Sequence, residues 1–266
     1  AESAFGPQSP DRAPSLQIAA RVERTVGDPD IALAHLDAAV ALLDAAGAGG
    51  TGILPEVLLD RAQLREEEGD LEGAAADLER ALEIVRRTQI ESSANEGRLL
   101  ADRGRLEVAL ERPARARGHL ERALALLADT EVHLAWRADA HAALARVLRS
   151  EGDHDAAIES MERALRDHTT LRGRVSADPL ARARVAARTG RDAGDRARWY
   201  ALDARPDDVL RVLEAFRARS LRDQYEIRSR LQTSNDPAVA PILERIDAAQ
   251  SRLTSIRKRS EAVSRD

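Results

Sequence analysis

Gly152-Asp153-His154-Asp155-Ala156-Ala157-Ile158-Glu159-Ser160-Met161-Glu162-Arg163-Ala164-Leu165 is the stretch whose reading decides the fold. Gly152 suits a left-handed residue that ends one helix, and Asp153 suits the N-cap of the next. Ala157, Met161 and Ala164 then recur at steps of four and three, the inward stripe of an amphipathic helix. The pattern returns upstream as Glu111-Arg112-Pro113 with Ala116, Leu120 and Ala123, as Gly69-Asp70 with Ala74, Leu78 and Ala81, and as Gly27-Asp28-Pro29 with Ala32, Leu36 and Ala39. The anchors Ala39, Ala81, Ala123 and Ala164 are spaced 42, 42 and 41 residues apart. A fixed period in this range means stacked helix pairs, in which each unit buries its apolar face only against its neighbours.

The partner helix of each pair runs back from the hinge, with Leu58, Ala62 and Leu64 before Gly69 and Leu144, Ala145 and Leu148 before Gly152. Stacking hides both stripes, at about 25 cal/mol per Å² of apolar surface removed from water. Asp28-Pro29, Asp178-Pro179 and Asp236-Pro237 are helix starts, with Asp as cap and Pro at the first helical position, and Pro113 marks the start in the third repeat. The helical pattern is expected to begin at Ser15. Gly47 to Gly52 reads as a helix-to-helix linker, because the Gly-Lys-Ser/Thr ending of a phosphate-binding loop is missing.

Aromatic residues are only 2% of the chain, so Ala, Leu, Val and Ile must build the core. No strand-type alternation occurs, and the chain reads as all-α. It has no Cys, which excludes disulfides, thiolate metal sites and a Cys nucleophile. No run of 18 apolar residues exists and Ala1 to Pro14 lacks the layout of a signal peptide, so the expectation is a cytoplasmic protein away from membranes. Charge is uneven around a net of −5: residues 182–205 hold seven Arg against three Asp, and 211–266 hold twelve basic against eight acidic residues. Solvated helix faces explain this; an anionic partner for the basic rear is the alternative. Arginine carries nearly all the positive charge, Lys258 being the one lysine.

No constellation for catalysis, no metal site and no cofactor site emerges. His35 and His119 share one repeat slot with Asp77 and Ser160, which reads as partly exposed surface. His133 and His141 stand eight apart, too far to chelate one metal from adjacent turns, and His-Glu-x-x-His is absent. Glu66-Glu67-Glu68 reads as solvated charge at a helix end. Trp136, Trp199 and Tyr200 read as packing residues, with Arg198-Trp199-Tyr200 the one hint of a base-stacking platform.

Glu151 to Leu165 resembles the second helix of the tetratricopeptide (TPR) repeat: Gly-Asp, three residues, Ala, four residues to a large apolar side chain, then three to Ala-Leu. Residues 68–82 match this pattern and 27–40 match it loosely, with a period of about 42 against the usual 34. The resemblance implies a right-handed solenoid of about five helix pairs whose first helices line a concave groove. Counted back from the hinges, the groove slots hold Gln63, Glu66, Arg105, Arg146 and Arg149. Arginines there are expected to fork onto a carboxylate of a protein or peptide partner.

After about residue 205 the pattern changes. Pro206-Asp207-Asp208 is expected to start a long helix, and a second follows Asp236-Pro237 with Ile242, Ile246, Ala249, Leu253, Ile256 and Val263 in a short coiled-coil seam. Joined by Thr233-Ser234-Asn235, the two should form an antiparallel hairpin, and the seam allows self-association. The expected organisation is a flexible segment at 1–14, the solenoid at 15–205 and the hairpin at 206–266. Leu213-Glu214-Ala215-Phe216-Arg217-Ala218-Arg219-Ser220-Leu221 directly after such repeats resembles bacterial TPR proteins that end in a CHAT domain, a caspase-like peptidase fold. Those peptidases use a His and a Cys. A chain without Cys would then be the non-catalytic sensor or scaffold region of such a protease system, bound to a CHAT-type domain outside it. The alternative is the TPR region of a transcription regulator or another nucleic-acid-linked signalling protein, though nucleic acid is not the expected partner.

Overall fold

The computed structural model of the chain describes residues 6, 8–47, 52–88, 93–128, 133–174, 179–215 and 218. The chain divides into two compact units, Ala1–Asp192 and Ala193–Asp266. The first holds α1 (Ala13–Val26), α2 (Pro29–Ala45), α3 (Ile53–Glu67), α4 (Leu71–Thr88), α5 (Ser93–Ala109), α6 (Pro113–Leu127), α7 (Leu134–Ser150), α8 (His154–Arg174) and the start of α9 (Pro179–Leu202). No strand occurs among the described residues. A 3-10 turn at Pro10–Arg12 leads into α1, which begins at Ala13, two residues before the expected Ser15. Ala13 is fully buried, so packing carries the helix back past Pro14, which sits in the first turn where it lacks no needed N–H.

Hinge chemistry sets the hairpins. Gly27, Gly69 and Gly152 have φ of 106°, 86° and 85°, the left-handed conformation that costs a glycine little. The following residue then closes the turn: the amides of Asp28, Asp70 and Asp153 donate to the carbonyls of Glu23, Arg65 and Leu148. Each Asp carboxylate accepts in turn from the backbone three residues on, at Ile31, Gly73 and Ala156. In the third repeat Glu111 takes the left-handed slot at φ 58° and Arg112 donates to Glu107, but no side chain caps α6.

Each odd helix packs against the even helix that follows it, and consecutive hairpins then stack, with α1 touching α3 and α5 touching α7. Helices of 14 to 21 residues take up the long period. The anchors Ala39, Ala81, Ala123 and Ala164 all have zero exposure and hold equivalent places. Close approach is needed between α5 and α6: a Cβ on Gly104 would lie 2.5 Å from Cγ of Leu120.

One reading is corrected. The slot of His35, Asp77, His119 and Ser160 is not surface throughout, because Asp77 and Ser160 are buried and the two histidines are half-buried. This slot faces the odd helix of its own hairpin. Asp77 accepts from both Arg61 and Arg65 of α3, and Ser160 donates to the carbonyl of His141 on α7. A buried carboxylate at a helix–helix contact is tolerated because two guanidinium groups satisfy it.

In the second unit, Trp199 and Tyr200 are buried. The guanidinium groups of Arg196 and Arg205 lie 5.3 and 4.6 Å from the Tyr200 ring centre. Ala204 repeats the left-handed hinge at φ 55°, the Arg205 amide donates to Tyr200, and a helical run follows at 206–215. Ala204-Arg205-Pro206 thus repeats the chemistry of Glu111-Arg112-Pro113. The far hairpin, the Asp236-Pro237 start, the heptad seam and the self-association assigned to it lie outside the described residues.

Candidate functional site: the groove of the odd-numbered helices

Residues three or four apart on a helix share a face, so the hinge-counted slots should align from one odd helix to the next. They do. A groove of about 820 Å³ is lined by Arg24 and Thr25 of α1, Gln63, Glu66 and Glu67 of α3, Asp102 and Arg105 of α5, Asp139, Ala142 and Arg146 of α7, and Arg188, Arg191 and Asp192 of α9. Four of the five expected residues, Gln63, Glu66, Arg105 and Arg146, are therefore brought together. Arg149, half-buried near the end of α7, does not line the groove. Carrying the slots further back by steps of three and four would have added Asp102, Ala142 and Asp139; the α9 residues had no repeat pattern to reveal them.

The groove carries five arginines and five carboxylates. Arg105 forks onto Glu66 across the α3–α5 interface, with Nη2 2.8 Å from Oε2, and also reaches Asp102 at 3.4 Å. Glu66 is thus an ion-pair partner, whereas Glu67 and Glu68 are exposed as expected. Arg188 pairs with Asp139 at 2.8 Å, and Arg24 donates to Gln63 at 3.3 Å. Arg146 donates to Asp192 at 2.7 Å, and the other Asp192 oxygen lies 3.1 Å from Nε2 of His168. Asp192 and His168 are both buried, and Nδ1 of His168 has no hydrogen-bond partner among the described residues. Arg191 and Glu67, both exposed, have no ion-pair partner among the described residues.

Burial raises the carboxyl groups of Asp102 and Asp139 above their ordinary value, against the pull of Arg105 and Arg98 on the first and Arg188 on the second. Burial alone would weaken the hold of Arg105 on its proton, but Glu66 and Asp102 outweigh it, so this guanidinium stays charged. The floor is therefore a set of partly desolvated charges holding one another, and an incoming charged group must exchange with them. No group of three or more His, Cys, Asp or Glu suited to a metal ion occurs among the described residues. The burial of Trp199 and Tyr200 removes them as a base-stacking surface. No helix among the described residues is long and apolar enough to cross a membrane.

Helix pairs stacked around a shared groove define an α-solenoid. Two tetratricopeptide-repeat family models match the chain, at residues 54–129 and at 138–166, so the chain carries TPR repeats. Solved structures with the same fold include the TPR-like repeats of a putative kinesin light chain from Podosopora anserina, with 21% identity, TM-score 0.61, and 81% of this chain and 98% of that one covered. MamA 41-end from Desulfovibrio magneticus RS-1 follows at 16% identity and TM-score 0.54, covering 78% of this chain and 97% of that one. BtubC from P. vanneervenii stands at 15% identity and TM-score 0.52, covering 86% and 93%. No curated protein matches the chain.

Proposed function

We propose that the chain is a non-catalytic protein-interaction module that holds a charged peptide segment of a partner along the groove of α1, α3, α5, α7 and α9. The supporting observation is that five successive odd helices contribute to one polar groove of about 820 Å³. Its paired arginines and carboxylates offer a partner matched exchange of salt bridges, and Arg191, with no ion-pair partner among the described residues, offers a first landing point for a carboxylate. Specificity in such a groove comes from the order of charges along the segment. Selection from a displayed peptide library against the whole chain tests this. Enriched peptides should lose at least tenfold in affinity to Arg191→Glu and Arg105→Glu, and binding indifferent to both variants would overturn the groove assignment.

The finer reading is a sensor region of a CHAT-type, caspase-like protease system. The resemblance of residues 206–263 supports it, and so does the helical run at 206–215 directly after the repeats. It predicts that the chain binds a caspase-like domain containing a His and a Cys, encoded in the same gene or beside it. Such a domain failing to bind the chain, or to change activity with it, would overturn this reading without touching the groove.

A further inference from the structure

The fourth repeat departs from the second and third where α7 faces α8. In the second repeat, the odd-helix slots eight and four residues before the hinge hold Arg61 and Arg65, which clasp Asp77. In the third they hold Arg103 and Glu107, a buried pair 2.8 Å apart beside His119. In the fourth, the same slots hold Leu144 and Leu148, and the facing residue is the small Ser160. With nothing to fill the space of the charged clusters, a pocket of about 530 Å³ opens there, with Leu124 of α6, Leu144 and Leu148 along its wall.

Another slot changes in the opposite sense. The position eleven residues before the hinge is Leu58 and Leu100 in the second and third repeats, both fully buried, and His141 in the fourth. His141 lines this pocket together with Arg163 and Arg166 of α8. Arg163 is held by Glu159 at 2.6 Å, whereas Arg166 is exposed and has no ion-pair partner among the described residues. Core packing has been given up here for an apolar floor with an imidazole wall and a cationic rim.

The geometry points to a second peptide-binding site on this face, one that seats an aliphatic side chain against Leu144 and Leu148 and sets the acidic residue after it on Arg166. The pocket's volume lies within the range of ligand sites, about 300–1,000 Å³. Its free charge is positive, which selects an acidic flank. The pocket is built from α6, α7 and α8 and shares no lining residue with the groove, so the inference stands apart from the groove reading.

Methyl NMR on the whole chain tests it, with two probes: acetyl-Leu-Leu-Asp-Asp-amide and its neutral counterpart acetyl-Leu-Leu-Asn-Asn-amide. The acidic peptide should shift the Leu144 and Leu148 methyls with at least fivefold higher affinity than the neutral one, and Arg166→Glu should remove that preference. Leu148→Arg, which restores the charged slot of the second repeat, should lower affinity at least tenfold, while Arg191→Glu in the groove should leave it unchanged. Equal binding of the two peptides would overturn the site, and so would the absence of shifts at these leucines up to about 10 mM peptide, weaker than a single anchored side chain should bind. Since Arg166 is an exposed residue, its variant keeps the fold and the test does not depend on Leu148→Arg folding.

Discussion

Arg105 on α5 forks onto Glu66 on α3, so a groove-lining side chain joins two neighbouring repeats. Each is partly exposed, which limits what the pair adds to stability to about 0.5–1 kcal/mol. Arg105→Glu should destabilise the chain by about 1 kcal/mol through like-charge contact with Glu66 and Asp102. Arg105→Glu combined with Glu66→Arg should recover most of that loss. A double-mutant cycle by urea denaturation checks this, and a cycle with no coupling would show that the pair does not join the repeats.

Asp192 is a different case, because it is buried and serves Arg146 and His168 together. Asp192→Ala takes one acceptor from Arg146 and the acceptor facing Nε2 of the buried His168, and about 2–3 kcal/mol should be lost. Asp192→Asn keeps one acceptor oxygen and should cost less, about 1–2 kcal/mol. Equal effects of the two variants, read from thermal or denaturant unfolding, would contradict the bridging role.

Glu111 stands at φ 58°, in the slot that Gly27, Gly69 and Gly152 fill in their hinges. A side chain there costs about 1–2 kcal/mol for the left-handed conformation. Glu111→Gly should therefore stabilise the chain by about 0.5–1 kcal/mol once the entropy of the unfolded glycine is subtracted. Glu111→Val, β-branched in the same conformation, should destabilise it. The reverse order of melting temperatures would show that the hinge is unstrained.

Burial, more than any charge, pushes His141 down to about 4, with Arg163, Arg137 and Arg166 acting in the same direction and Asp167 against it. In the unfolded chain this imidazole titrates near 6.5. The folded state thus binds fewer protons between these values, so the stabilisation is complete above about pH 6.5 and is lost as pH falls toward 4. His141→Leu, which restores the residue of the second and third repeats, lacks this loss. Relative to the wild type it should gain about 1–3 kcal/mol between pH 7 and pH 4, the range allowing for partial solvent exposure. Parallel stability curves for the two proteins would contradict a half-buried imidazole kept neutral by the fold.

The hinge pairs Gly27-Asp28, Gly69-Asp70 and Gly152-Asp153 made the fold legible, because each letter has one conformational use and the interval between them is fixed. The same counting brought Gln63, Glu66, Arg105 and Arg146 onto one face. Pairing was not legible. Arg105 with Glu66, Arg146 with Asp192 and Arg188 with Asp139 join residues 39, 46 and 49 apart, and no local spacing shows which rotamers meet across a stack. The full burial of Asp77 and Ser160 was not legible for a related reason. Polar residue type suggested exposure, but the partners Arg61 and Arg65 that make its burial tolerable lie on another helix.

The central claim is that the odd-numbered helices form the face that receives a partner. Backbone and guanidinium NMR shifts in the whole chain, titrated with a library-selected peptide, measure it most directly. The largest changes should cluster at Arg24, Gln63, Asp102, Arg105, Arg188 and Arg191. Changes gathered instead on the outward faces of α2, α4 and α6, with those six residues still, would contradict it.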